Sequence, residues 1–355
     1  MINYKVFFII LNILFLLAIL EQKFWEKKKI FSIVGIVVLG VVIATRNDFL
    51  VDKDYDQFRS IYSNNLYRLD VERLYLYLNI VFKKITKLDY IFFSFFYGVL
   101  SLTLVSKAFD KMTLHPNLCM FIYYGVGFFS KNCLNIRSGM ATSIFIFSLS
   151  YLLNNKKIKY LIGIFLSMGI HFGGSIYLLF LFMKIKIVKK YMSLIFFITI
   201  LISISILFLD IKNIILIIAK LPLGKISDKV IMYFQGIGIG HTASREIGVR
   251  GLTIYLNYLF YYILIKYKYI KVQKKEYYFF ILFSIEVIFK LLSYKIIIFS
   301  RIVELVSIVD IFVLFTYYNI KLKSISNFLY KIGYFSIMYI YILLSMFRIL
   351  QLMKG

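Results

Sequence analysis

Apolar runs of bilayer-crossing length recur along the whole chain, and they constrain its fold more than any other feature. They fall at 4–20, 30–45, 91–108, 118–131, 138–153, 191–209, 251–269, 277–294, 301–320 and 331–350. A hydrocarbon core of about 30 Å takes about 20 residues of helix. Runs of this kind read as membrane spans. They predict an all-α polytopic transmembrane bundle of about ten spans, and the shorter runs predict tilted or broken helices. Of 355 residues, 61% are hydrophobic, against about 45–50% in soluble domains. Disordered, collagenous and disulfide-scaffold chains are excluded, and a soluble enzyme is not expected. No repeat period and no Pro/Ser-rich linker is visible, so residues 1–355 are expected to form one integral membrane domain. The n-region of the first run holds only Lys5 and no small-residue cleavage site follows, which reads as a retained span rather than a signal peptide. Cys119 and Cys133 are too few for a disulfide framework or a zinc site.

Charge then orients the spans. Lys and Arg number 43 against 17 Asp and Glu, a formal +26. In a soluble chain this would suggest nucleic acid; here no nucleic-acid partner is expected, and the positive-inside rule applies. Five Lys clusters should be cytoplasmic: Lys23 to Lys29, Lys156 to Lys159, Lys184 to Lys190, Lys266 to Lys275, and Lys321 to Lys331. Two of them flank the run 160–183, YLIGIFLSMGIHFGGSIYLLFLFM, and a single crossing would put them on opposite faces. Gly169, Gly173 and Gly174 surround His171 at its centre, and glycines permit a tight turn. The segment is therefore expected to be a re-entrant hairpin with His171 near its outward tip; one ordinary span is the competing reading. The amino terminus and two larger loops, about 46–90 and 210–250, are then outside. Residues 72–88 are too short to span and read as an interfacial helix.

Arginine does not follow lysine. Arg46, Arg59, Arg68, Arg73, Arg137, Arg245, Arg250, Arg301 and Arg348 all fall on the outer side or at an outer span end in this topology. A guanidinium keeps its charge and grips phosphate oxygens bidentately. An outward set of them suits a diphosphate-bearing substrate at the membrane surface. Arg59, Arg68 and Arg348 read more simply as snorkelling anchors. Arg137 and Arg301 each start an apolar run, where an ionisable group is a functional hypothesis. Glu72 begins the short helix; Glu304 lies one turn after Arg301, as in a structural ion pair. His171 is either a packed core histidine or a functional one. No His/Cys/carboxylate cluster has metal-ligand spacing, and the glycine-rich 236–245 segment lacks the Lys-Ser/Thr of a phosphate-binding loop.

Four segments in order resemble a known family. They are TRNDFLVDKDYDQF followed by Glu72, NIRSGMATSIFIFSLSYLLNNKKIKY, LIGIFLSMGIHFGGSIYLL and SRIVELV. Together they are similar to the EpsG family of bacterial exopolysaccharide proteins, related in role to Wzy-type polymerases. Asp52-Lys53-Asp54-Tyr55 departs from the family's Gly-x-Asp-Tyr, and Ser138 replaces its Gln. The resemblance implies a bundle like those of GT-C-type lipid-linked glycosyltransferases. It implies polymerisation of undecaprenyl-pyrophosphate-linked repeat units into O-antigen, capsule or exopolysaccharide, at the outer face of the bacterial cytoplasmic membrane. Arg137 and Arg301 would grip the pyrophosphate, with Arg46 and Arg250 as further candidates and Glu72 and Glu304 in support. Asp54 and His171 are both candidates for the base that takes the acceptor hydroxyl proton. No metal and no cofactor is expected, because Arg replaces the cation. A chain-length regulator and a flippase of the same pathway are the implied protein partners. A ligase-type glycosyltransferase shares this chemistry with a different acceptor. A flippase would need a charged path to both faces.

Overall fold

The computed structural model describes residues 4–46, 53–64, 71–208, 249–295, 298–320 and 327–352. Among them every regular element is helical. The chain divides into two compact units, Met1–Leu181 with Asp310–Gly355, and Phe182–Val309.

The first unit contains α1 (Tyr4–Lys23), α2 (Lys28–Ala44), α3 (Lys53–Asn64), α4 (Arg73–Thr86) and α5 (Tyr90–Met112). Next comes α6 (Pro116–Tyr123), which widens without a break into a π-helix, Tyr124–Leu134. Then follow α7 (Ile136–Leu153), α8 (Lys157–Ile170), a 3-10 helix (Phe172–Leu178) and α9 (Leu179–Phe182). The second unit contains α10 (Ile185–Phe208), α11 (Val249–Lys266), α12 (Lys274–Lys295) and α13 (Ile298–Val306). Its helices pack around α12 through aromatic layers such as Tyr258 stacked on Phe280 at 5.5 Å. After α14 (Val309–Tyr318), α15 (Asn327–Leu352) completes the first unit.

Among the described residues five helices are long and apolar enough to cross a membrane: Lys5–Lys23, Tyr90–Met112, Ile136–Leu153, Ile185–Ile206 and Lys274–Tyr294. The expectation of about ten rested on apolar runs, and several of those runs are helical but short or broken. The run 301–320 is split at Ser307–Ile308 between α13 and α14, and α2 has 17 residues. The expected outer loop 46–90 holds two helices, α3 and α4. The expected loop 210–250 lies outside the described residues, apart from the two that open α11.

Within the first unit the two ends of the helices differ in chemistry. At one end Lys28 pairs with Asp110 at 2.8 Å. The Lys111 ammonium lies 4.2 Å from the Phe147 ring centroid and 4.6 Å from that of Tyr151. At the other end of the same helices lie Arg46 with Ser94 and Arg137 with Glu72. The alternation follows from the contacts: α2 runs from Lys28 toward Arg46, α5 from Ser94 toward Asp110, and α7 from Arg137 toward Tyr151.

A buried polar knot ties the lysine end. Pro116 opens α6, where its missing N–H costs nothing. The Glu21 carboxylate, 0% exposed, accepts from the Asn117 N–H at 3.2 Å and the Leu118 N–H at 3.4 Å. Glu21 thereby satisfies amides that a helix start leaves open. Beside it Gln22 Nε2 donates to His115 Nδ1 at 3.0 Å, and the Tyr318 hydroxyl donates to Gln22 Oε1 at 2.7 Å. Burial, reinforced by Lys331 and Lys28, pushes His115 down to about 4.

The 160–183 segment doubles back. The Tyr160 hydroxyl donates to the Tyr177 carbonyl at 2.6 Å, across 17 residues. A Cβ on Gly174 would stand 2.5 Å from Ser167 Oγ and 3.2 Å from the Ser167 carbonyl carbon, so glycine permits the close return. The turn is at His171, whose backbone is extended at φ −152°, ψ 116°. Each leg is about 20 Å long by helical rise, shorter than a hydrocarbon core of about 30 Å.

Candidate active site

The arginine end of the first unit rests on an aromatic platform. Tyr55, Phe58, Ile61 and Tyr62 recur at helical spacing and give α3 one buried face. It packs on Tyr75 and Leu76 of α4, on Tyr90, Phe93 and Tyr97 of α5, on Ile136 and Met140 of α7, and on Ile170 of α8. Phe58 meets Tyr75 edge-on at 5.4 Å, and Tyr75 meets Tyr97 at 5.6 Å and 86°. The Lys83 ammonium closes the end of α3 by donating to the Ser63 carbonyl at 2.7 Å and the Tyr62 carbonyl at 3.2 Å. A cation there also suits the negative end of the helix.

On this platform the charged groups meet. Arg137, in the first turn of α7, lies with its guanidinium 5.0 Å from the Phe58 ring centroid. Its Nη1 donates to Glu72 Oε2 in a close ion pair. Glu72 precedes α4 with extended backbone, but its side chain does not cap its own helix. It reaches across instead, and Oε1 accepts from the Phe172 backbone N–H at 3.1 Å. The carboxylate thus joins α4, α7 and the tip of the hairpin. The side chains are 24% and 20% exposed, so the pair keeps a face toward its surroundings.

His171 caps the 3-10 helix: its Nδ1 accepts from the Gly173 N–H at 3.0 Å. With Nδ1 accepting, the neutral ring carries its proton on Nε2. Glu72, Arg137 and His171 are therefore brought together, the last through its neighbour Phe172.

The other expected site residues are placed differently. Arg46 is 1% exposed. It donates to Ser94 Oγ at 2.5 Å and the Ile43 carbonyl at 2.8 Å, with its guanidinium 4.7 Å from the Tyr55 ring centroid. It is locked behind the platform. Asp54 lies in the first turn of α3, and Arg250 is the second residue of α11; the side chains of both lie outside the described residues. Arg301 and Glu304 belong to α13 of the second unit and pair with each other at 3.6 Å. Among the described residues no group of three or more His, Cys, Asp or Glu side chains could hold a metal ion.

Two features escape sequence reasoning. One is Phe58 as the ring beneath Arg137, although the 55/58/61/62 spacing carries the signal. The other is the π-helix, which buries Lys131 and Asn132. Asn132 Nδ2 donates to Ser101 Oγ at 2.9 Å, and Ser101 meets Ser143 at 2.7 Å. Such π-turns recur at functional sites, and no pattern in 124–134 announces one.

The structural cluster and the sequence resemblance meet in one comparison. The model of the EpsG family matches residues 29–353, nearly the whole chain. No curated protein and no solved structure matches it. The match takes in every segment that builds the site, and the apolar helices make the chain a multi-pass membrane protein. The chain therefore belongs to the EpsG family, membrane proteins of polysaccharide biosynthesis whose family-level activity is a glycosyltransferase-type polymerisation.

Proposed function

We propose that this chain polymerises undecaprenyl-pyrophosphate-linked oligosaccharide repeat units into O-antigen, capsule or exopolysaccharide. The reaction would take place at the outer face of the cytoplasmic membrane. The supporting observation is the partly exposed Arg137, held by Glu72 at the hairpin tip, at the end of the unit opposite Lys28 and Lys111. By the positive-inside rule that end faces outward.

In this reading the acceptor hydroxyl attacks the anomeric carbon of the donor glycan. The bond to the pyrophosphate oxygen breaks, and negative charge grows on the leaving group. A preformed guanidinium opposes that charge most effectively in a site poor in water. His171, with its proton on Nε2, is suited to donate to an oxygen of the leaving group or the sugar. That leaves the base role to Asp54. Arg46 holds the platform, while Arg301 and Arg250 are assessed by the same readout as Arg137.

The test uses the purified protein in liposomes with one lipid-linked repeat unit. Wild type yields ladders. Arg137→Ala lowers the rate about 100-fold or more, the scale for removing a donor to developing charge. Single transfer to a different acceptor would make the chain a ligase, and normal ladders from Arg137→Ala would refute the site.

A further inference from the structure

From the bridging geometry of Glu72 we infer that this residue is a positioning residue that holds Arg137 until the diphosphate arrives and then hands it over. The inference rests on the reading of Arg137 as the pyrophosphate contact. Glu72 is divided between two duties. Oε2 faces the Arg137 guanidinium, and Oε1 accepts from the Phe172 N–H at 3.1 Å. The first duty neutralises the cation that the substrate needs. The second fixes the hairpin tip beside His171.

The two duties separate because they use different oxygens and different kinds of bond. A diphosphate carries more negative charge than one carboxylate and offers a guanidinium two acceptor oxygens, where Glu72 offers it Oε2. It therefore displaces Oε2 from Arg137. The backbone bond to Phe172 involves no cation and stays. The Phe58 ring beneath the guanidinium, at 5.0 Å, keeps Arg137 in place during the exchange. The ion pair is partly exposed, so its strength is modest and the exchange is reversible. Without Glu72 in the resting state, Arg137 would be an uncompensated cation open to any lipid phosphate. The carboxylate thus selects for ligands that outcompete it.

A merely structural Glu72 and an exchanging one predict opposite signs. Glu72→Gln keeps an acceptor oxygen for Phe172 and removes the charge competing for Arg137. With protein in nanodiscs and radiolabelled undecaprenyl pyrophosphate as probe, Glu72→Gln should bind about two- to fivefold tighter than wild type, the range of a partly exposed ion pair. Its selectivity against phosphatidylglycerol should fall. Glu72→Ala, which also releases Phe172, should turn over more slowly than Glu72→Gln. Arg59→Ala, on the exposed face of α3, should bind as wild type. Equal or weaker binding by Glu72→Gln overturns the inference while leaving the function standing. Unchanged binding by Arg137→Ala overturns the function itself. Should Glu72→Gln fail to fold, wild type with 13C-labelled glutamate provides the second measurement. Adding the probe must shift a carboxylate stretch in the infrared difference spectrum, and no shift overturns the inference.

Discussion

Replacing Gly139 by alanine tests whether the approach of α7 to the π-helix sets the position of Arg137. Gly139 lies two residues after Arg137, and its N–H donates to the Asn135 carbonyl at 2.8 Å. A Cβ there would run into the Lys131 carbonyl, standing 2.7 Å from its carbon and 3.3 Å from the Asn132 nitrogen. These are backbone atoms, so no rotamer change relieves the overlap and one element must move. Overpacking of this kind costs about 1–3 kcal/mol, while helix propensity returns at most about 1 kcal/mol for Gly→Ala. The expected net is a loss of about 1–2 kcal/mol, with a larger loss of activity because the start of α7 carries Arg137. Gly333 supplies the internal control: it lies on α15 with nothing within 4 Å of its Cβ position. Gly333→Ala should be neutral or stabilising by up to about 1 kcal/mol. Thermal unfolding in detergent, read beside polymer ladders, measures both. A Gly139→Ala protein at least as stable as wild type, with full ladders, would refute the argument.

Two further outcomes follow from the first unit. His115 is held near 4 in the folded protein, below its ordinary 6.5. Its stabilising contribution is complete above about pH 6.5 and is lost as pH falls through 4, because the unfolded chain takes the proton first. The loss is on the order of 3 kcal/mol, and melting temperatures between pH 7 and 4 should show a decline that His115→Gln flattens. Tyr160→Phe removes the donor to the Tyr177 carbonyl. It should cost about 1–2 kcal/mol and speed amide exchange at Phe172–Gly174 while α5 stays protected.

The sequence was informative where one residue type carries one physical meaning. Glycines around a lone histidine marked a turn, and the chain does turn at His171. An arginine opening an apolar run singled out Arg137, an acid at the head of a short helix singled out Glu72, and the structure pairs the two. Helix content was legible because apolar runs in lipid have few alternatives. Span count was not, because a run does not show whether it breaks, as it does at Ser307. The helix α3 was hidden by its charges: Asp54, Asp56 and Arg59 make the segment read as a loop, while Tyr55, Phe58 and Tyr62 carry the packing. Arg46 illustrates the opposite failure. Its outward position at a span end suggested a ligand contact, but Ser94 and Tyr55, distant in sequence, determine that it is buried. Side-chain direction of this kind depends on partners that a one-dimensional reading does not rank.

The two-part composition of the first unit bears on the order of assembly during synthesis. Its final pieces, α14 and α15, return to α1. Tyr318 bonds Gln22, the Tyr339 hydroxyl donates to Asn12 at 3.1 Å, and Phe15 meets the rings of Phe335 and Tyr339. The first helix made therefore waits for the last before its apolar face finds these neighbours. All of Phe182–Val309 is synthesised in that interval. At about 5–20 residues per second, the delay from Gln22 to Tyr318 amounts to tens of seconds. During it α1 has α2, α6 and the π-helix for company, the last through Tyr124 and Phe129 on Phe7. A ribosome stalled anywhere in the second unit would leave the Arg137–Glu72 pair already encoded, in a bundle still missing the helices that close it.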